Sequence, residues 1–354
     1  MNVWNNIELF GESHGFAVGV VIKNIPAGIK IDNSYISQML IRRKAGQIGT
    51  SSRIEEDKPI ILSGIFNGFT TGENICVIFK NENAESSENT RVYIPRPGHA
   101  DYTASVASKG FADLRGGGAY SGRLTLGLVY AGAIAKQFLS MRDIEVLAKI
   151  KSIAYISDIE IDTINPDIDA IMDCQKKELP MISEPAAKQA AELIKQTAFQ
   201  GDSLASSVEC IIFNLPVGLG SNFFESCESQ LSQGLFAIPA VKGIQFGKDP
   251  STLIYGSNYN DEFTYVDSKI KTKTNNCGGI LGGKTNGMPM YFDVNIKPTP
   301  SIAMTQNTVD MKEHENTKVD TRGRNDSCIG IRACAVVESV AALWTMYTLL
   351  GMNE

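Results

Sequence analysis

Three histidines in 354 residues make their placement informative. His14 sits in FGESHG (10–15) and His99 in RPGHAD (96–101), both beside charged residues and flanked by glycine or proline turn formers. Binding and catalytic groups concentrate in such turns. A histidine changes protonation near neutral pH, so two of them could supply proton transfers. The alternative is that each caps its local turn. His314, in MKEHENTK, lies in a polar run and reads as solvated.

Arginines gather in the same loops: Arg42, Arg43 and Arg53 early, Arg96, Arg115 and Arg123 in the middle, Arg322, Arg324 and Arg332 late. Arginine grips carboxylate and phosphate through two parallel N–H donors. Several stand beside glycines, in LRGGGAYSGRLT (114–125) and TRGRNDSC (321–328), where bare backbone N–H groups can approach an anion. The alternative, surface pairing with the 39 acidic residues, fits poorly for Arg123 and Arg332, each at the head of an apolar run. Neither glycine-rich stretch is a Walker or dinucleotide fingerprint. The residues alone therefore point to a pocket for a polyanionic small molecule, with two proton-handling histidines.

The elements that position these groups follow from pattern. With 43% hydrophobic residues the chain has the apolar mass for a sizeable core. A net charge of −6 argues against nucleic acid or an anionic membrane as the main partner, so cationic charge for an anionic ligand must be local. Seven scattered cysteines, without CxxC or metal spacing, suit a reducing cytoplasm and no metal. The N-terminus carries no signal-peptide pattern. No linker divides the sequence, which predicts one domain over 1–354. Helices are expected at Asn33–Lys44, capped by Asp32 or Asn33, and at Ser183–Gln196, with Ser183 as cap and Pro185 in the first turn. Leu126–Leu139 and Ala333–Leu350 are apolar nearly all round, so both should be buried helices. The second carries Glu338 and reads as a core element rather than a membrane span. Strands are expected at Val18–Ile22, Ile60–Ile65, Ile75–Phe79, Ser207–Phe213 and Met290–Ile296. NENAESSENT (81–90) reads as an exposed loop. ILSG (61–64) with TTG (70–72) is echoed by ILGG (280–283) with TNG (285–287), a weak internal repeat that chance could also produce.

FGESHG, RRKAG, RPGHADYT, RGGGAYSGRLT, AGAIAK, GDSLAS, PVGLG, IPAVKGIQFG, GGILGG, KPTPSI and GRNDSCIGIRA occur in that order from residue 10 to 333. The array resembles chorismate synthase over nearly the whole chain. The resemblance implies an α+β fold, with buried helices between two antiparallel sheets and a possible pseudo-twofold repeat, assembled as a homotetramer. It implies a lyase that performs a 1,4-anti elimination of phosphate from 5-enolpyruvylshikimate 3-phosphate, giving chorismate. The cofactor implied is reduced FMN, which lends charge to the substrate and recovers it, with NADPH only as a source of flavin reduction. By the same resemblance His14 protonates the leaving phosphate, His99 protonates the flavin near N1, and Asp326 helps flavin N5 act as base. Arg42, Arg43, Arg96 and Arg123 fall on anion-binding positions. Flavin contacts fall on Ser121, Pro239, Ala240, Gly282, Lys297, Pro298, Thr299, Pro300, Ser301 and Arg324.

The chain departs from the family pattern in places. Asn325 and Ser327 replace the usual His and Pro of GRHDPC, Ala119 and Tyr120 alter a flavin-contacting turn, and Gly49 stands where an additional arginine is usual. These positions favour a competing reading, a weakened binder that has kept the fold. A flavin reductase using NAD(P)H is the other competitor.

Overall fold

The computed structural model describes residues 2–51, 55–82, 93–253, 255–323 and 325–352. Arg53, Arg324 and most of the polar stretch 81–90 lie outside the described residues.

A first sheet forms from β1 (Ile7–Gly11), β2 (Ala17–Ile22), β3 (Ile60–Ser63) and, after a short hairpin of β4 (Ile65–Phe66) and β5 (Phe69–Thr70), β6 (Ile75–Lys80). Its order is β1-β2-β6-β3 and every pair is antiparallel. Val18, Val20 and Ile22 alternate inward on β2, as Ile75, Val77 and Phe79 do on β6. Between β2 and β3 runs α1 (Asn33–Arg43), started by Asp32, whose carboxylate accepts from the Ser34 and Tyr35 N–H groups. It buries Ile36, Met39, Leu40 and, in its last turn, Arg43.

The short α2 (Asp101–Ala107) and the apolar α3 (Thr125–Ser140) lead to a second antiparallel sheet. This sheet comprises β7 (Val146–Ile153), β8 (Ile156–Ser157), β9 (Ser206–Ile212), β10 (Val241–Phe246) and β15 (Met290–Ile296), in the order β10-β15-β9-β7-β8. Helices α4 (Ile168–Cys174) and α5 (Glu184–Phe199) lie between β8 and β9, and Ser183 caps α5 as expected. Helix α6 (Cys227–Phe236) precedes β10. After β10 come α7 (Gly256–Tyr259) and two-stranded ribbons β11 (Phe263–Val266) with β12 (Lys269–Thr272) and β13 (Ile280–Leu281) with β14 (Lys284–Thr285). Ribbon β16 (Thr305–Asp310) with β17 (Glu315–Asp320) follows β15, and α8 (Gly330–Gly351) completes the order. His314 turns that last ribbon, exposed, with φ 56.

Helices α3 and α8 pack on each other. α3 also contacts β2, and α8 contacts β7 and β9. Their close approach needs Gly132, where an added Cβ would lie 2.2 Å from the Ser339 Cβ. Val20, Val77, Ile134, Leu343, Val208 and Phe292 belong to one continuous core that draws on both sheets and both helices. Each fully buried α8 side chain such as Leu343 or Val340 stabilises by ~1.5–3 kcal/mol. By length and composition α8 could cross a membrane, but most of it is buried inside the protein, with Glu338 wholly enclosed.

The two sheets share a local signature. Asn24-Ile-Pro-Ala-Gly28 follows β2 and Asn214-Leu-Pro-Val-Gly218 follows β9, with the asparagines at φ 56 and 60. Thr70 Oγ1 donates to the Pro26 carbonyl at 2.6 Å and accepts from the Ile29 N–H at 2.9 Å. Thr285 Oγ1 does the same with Pro216 and Leu219, at 2.5 and 2.9 Å.

Candidate active site

A cavity of about 420 Å³, within the range of small-molecule sites, opens where the end of α1, the head of α3 and the head of α8 converge. Loops 96–101, 238–240, 297–301 and 325–329 contribute to its wall, together with Ser13, Ser51, Asp57 and the turn 116–122. Among the described residues lining it, six are Lys or Arg and four are Asp or Glu, a local positive excess in an acidic chain.

Three guanidiniums converge there. Arg43, the last residue of α1, is buried. Its Nε donates to Thr125 Oγ1 at 3.1 Å and its Nη2 to the Gly122 carbonyl at 2.8 Å. Arg123 lies in the 3-10 turn Gly122–Leu124 that opens α3, where Ser121 Oγ accepts from its N–H. Its guanidinium donates to Asp57 Oδ1, Asn81 Oδ1 and the Lys80 carbonyl. Arg332, in the first turn of α8, donates from Nε to the Arg43 carbonyl at 2.9 Å and from Nη1 to Asp326 Oδ2 at 2.7 Å. Burial and the Arg332 cation push the Arg43 guanidinium down to about 9. Asp57 pulls the other way, and Arg43 stays charged at neutral pH.

Asp326 is held from both sides. The Ser51 N–H donates to Oδ1, while Arg332 takes Oδ2, so its ion pair within the described residues is with Arg332. The backbone of Gly49 fixes the same loop, its carbonyl accepting from the Cys328 N–H at 3.0 Å. Gly49 has φ 70, and an added Cβ would meet Ile194 Cγ2 at 2.8 Å, so no larger side chain fits here without movement. Asn325 donates to the Thr321 carbonyl and also lines the cavity.

His99 is positioned by a fork. Arg96 donates to both oxygens of Asp101, at 2.7 and 2.8 Å, which closes loop 96–101. His99 Nδ1 lies 3.0 Å from the Pro97 carbonyl and Nε2 lies 2.7 Å from Ser301 Oγ. A carbonyl only accepts, so Nδ1 carries the proton and Nε2 of the neutral ring accepts from Ser301. Burial, followed by the Arg96 cation, lowers the His99 pKa below its ordinary value, so its protonated form is a comparatively strong acid.

His14 packs against Gly116, where an added Cβ would lie 1.9 Å from the imidazole Cε1. Ser13 Oγ is 3.2 Å from His14 Nδ1. Ser13 and Gly116 line the cavity, which places the half-buried His14 ring beside that part of the wall.

Of the expected flavin contacts, Ser121, Pro239, Ala240, Lys297, Thr299, Pro300 and Ser301 line the cavity. Two features suit a bound polar ligand. Thr299 Oγ1 is buried without a hydrogen-bond partner among the described residues, and Gly116, Gly117 and Gly118 form a run of positive φ, at 58, 95 and 52, just before Tyr120 and Ser121.

Three expected site residues do not line this cavity. Arg42 does not reach the cavity: both its Nη atoms donate to the buried Glu338, at 2.9 Å each. Gly282 is absent from the wall because it turns the β13–β14 ribbon. Pro298 is exposed and does not line the cavity. Arg324 lies outside the described residues. Asp57, Glu55, Lys44 and Ser51 line the cavity although sequence reasoning gave them no part.

The family model for chorismate synthase matches residues 6–350. A relative described as a chorismate synthase, from Dehalococcoides mccartyi (strain ATCC BAA-2100 / JCM 16839 / KCTC 5957 / BAV1), is 45% identical over 95% of this chain and 92% of its own. One from Pyrococcus abyssi (strain GE5 / Orsay) is 43% identical over 94% and 92%. A crystal structure of a chorismate synthase superposes with a TM-score of 0.77 at 24% identity, covering 98% of this chain and 91% of that one, a likeness of fold.

Proposed function

We infer the site's chemistry from a premise that the matches establish: the chain belongs to the chorismate synthase family. It is a carbon–oxygen lyase of the shikimate pathway, releasing phosphate from 5-enolpyruvylshikimate 3-phosphate to form chorismate, in a family that depends on reduced FMN.

The observation that carries the residue roles is the convergence of Arg43, Arg123 and Arg332 on one cavity with His99 and Asp326. Arg43, Arg123 and Arg332 grip the phosphate and carboxylates, while Arg96 works indirectly by shaping the loop that bears His99. His14 gives its proton to the departing phosphate, with Ser13 orienting its ring. His99 holds and returns a proton on the flavin side, and Asp326, held by Ser51 and Arg332, serves as the carboxylate acceptor. Ser121, Pro239, Ala240, Lys297, Thr299, Pro300 and Ser301 would hold the flavin. The unpartnered Thr299 Oγ1 and the Gly116–Gly118 cradle support that assignment. When bound, reduced FMN supplies the electron-rich ring on which the family's elimination depends, and NADPH enters only as a source of flavin reduction.

We also read the architecture as one domain with α3 and α8 sandwiched between two duplicated sheets. With the short β8 set aside, both sheets run first-second-fourth-third in chain order, which supports the duplication together with the matched Thr70 and Thr285 hydrogen bonds. Exposed Phe223, Phe224 and Tyr265 support burial between subunits of a homotetramer. Seven free cysteines support a reducing, cytoplasmic setting.

Anaerobic phosphate release from 5-enolpyruvylshikimate 3-phosphate tests the reading. It should occur with chemically reduced FMN and stop without it. Release that ignores FMN, or none with FMN bound, would overturn it.

A further inference from the structure

We propose that Asp57 is a built-in counter-ion that limits how tightly Arg43 and Arg123 hold an anion, and so sets how fast inorganic phosphate leaves. The inference rests on the reading of this cavity as the elimination site and adds a release-controlling residue to it.

Asp57 is an unusual occupant of an anion site. Its side chain is only 4% exposed, it lines the same cavity as the arginines, and its carboxylate lies between two guanidiniums. Arg123 Nη1 contacts Oδ1 directly, and Arg43 Nη1 stands 3.9 Å from Oδ2. Its backbone φ of 57 is in the left-handed region, uncommon outside glycine, so its surroundings hold it there. Among the described residues, the hydrogen bonds of Arg43 go to neutral oxygens of Thr125, Gly122 and Arg123, and Asp57 is its ion-pair partner, while Arg332 is paired with Asp326.

The reaction explains the use of such a group. The phosphate expelled carries the same kind of charge as the group that was bound, so a site of unopposed guanidiniums would hold the product as firmly as the substrate. A carboxylate at about 6 Å, in surroundings of effective dielectric near 20, repels an anion enough to lower its affinity about tenfold or more after screening. A purely supporting role predicts the opposite sign: without Asp57 the arginines would lose their alignment and bind anions less well.

The test is Asp57→Asn, which keeps the side chain's shape and an acceptor for Arg123. Inorganic phosphate is titrated directly into the full-length protein, so binding is read without turnover, and steady-state kinetics are measured beside it. Phosphate should bind about tenfold more tightly, KM should fall, and kcat should fall with it as product release becomes limiting. Unchanged or weaker phosphate binding in a variant of wild-type unfolding midpoint would overturn the proposal. Asp57→Glu covers the case in which the amide fails to fold. It keeps the charge and extends it into the cavity, so phosphate should bind no more tightly than in wild type, and tighter binding would overturn the proposal. Failure of the elimination reading would show separately, as wild-type protein that releases no phosphate.

Discussion

Arg42 and Arg43 adjoin each other at the end of α1, yet one enters a closed ion pair and the other an open one. Around Glu338 two cations share one carboxylate, and that carboxylate is fully hydrogen-bonded and sealed from solvent. Its carboxylate accepts two bonds from Arg42, one from Lys136, one from Gln175 at 2.7 Å and one from the Ala148 N–H at 3.0 Å, with no exposure. In the cavity, Arg43, Arg123 and Arg332 share Asp57 and Asp326 and face open space. The closed cluster ties α1, α3, α8 and β7 together, and the open one leaves attraction over for a ligand. Buried charge is thus used for two purposes one residue apart. Counting partners, rather than counting arginines, distinguishes them.

The sharpest way to break the contrast is to remove the hub. Glu338→Ala leaves Arg42 and Lys136 buried without their counter-charge, and should cost ~3–5 kcal/mol in denaturant unfolding. The hub also gives a pH signature. Burial alone would raise the Glu338 carboxyl, but the Arg42 and Lys136 cations hold it down at about 2. A depressed folded pKa stabilises above the unfolded value near 4.5, and that contribution drains as pH falls through 2. It is worth on the order of 3 kcal/mol. Glu338→Gln should flatten the acid limb of the stability curve between those values.

On the open side, effects should fall on rate rather than stability. His14→Ala and Asp326→Asn should each lower kcat by ~10²-fold or more, the usual share of a positioned proton-transfer group, with unfolding midpoints nearly unchanged. Wild-type turnover by either variant would remove its assigned role. Asn325 gives the smallest expected effect. Its amide already bonds the Thr321 carbonyl, so Asn325→His should shift kcat by only a few-fold. A gain of ~10²-fold would mark this chain as an impaired member of its family.

Much of this was legible in the sequence because it is local. The caps Asp32 and Ser183 and the all-apolar α3 and α8 announce themselves within a few residues. The glycine- and arginine-bearing loops marked most of the cavity wall. What could not be read depends on distant partners. Lys149 and Lys151 disguise β7 as a surface segment, yet Lys149 is buried against Asp158 and Glu209. Arg42 looked like its neighbour because its partner, Glu338, lies 296 residues away. Gly49 read as the loss of an arginine, whereas its left-handed backbone and the Ile194 contact explain why glycine stands there. His14 was found by its motif, but only the three-dimensional contact with Gly116 shows which part of the cavity it adjoins.

The division between closed and open charge is tested most directly by one paired measurement, kcat/KM for phosphate release and denaturant midpoint on Arg42→Gln and Arg43→Gln. Arg43→Gln should lose ~10- to 100-fold in kcat/KM, from a broken charge-assisted contact to the substrate, and keep its midpoint. Arg42→Gln should lose stability first, with kcat/KM largely kept in the folded fraction. The reverse outcome, catalysis lost at Arg42 and stability lost at Arg43, would contradict the account.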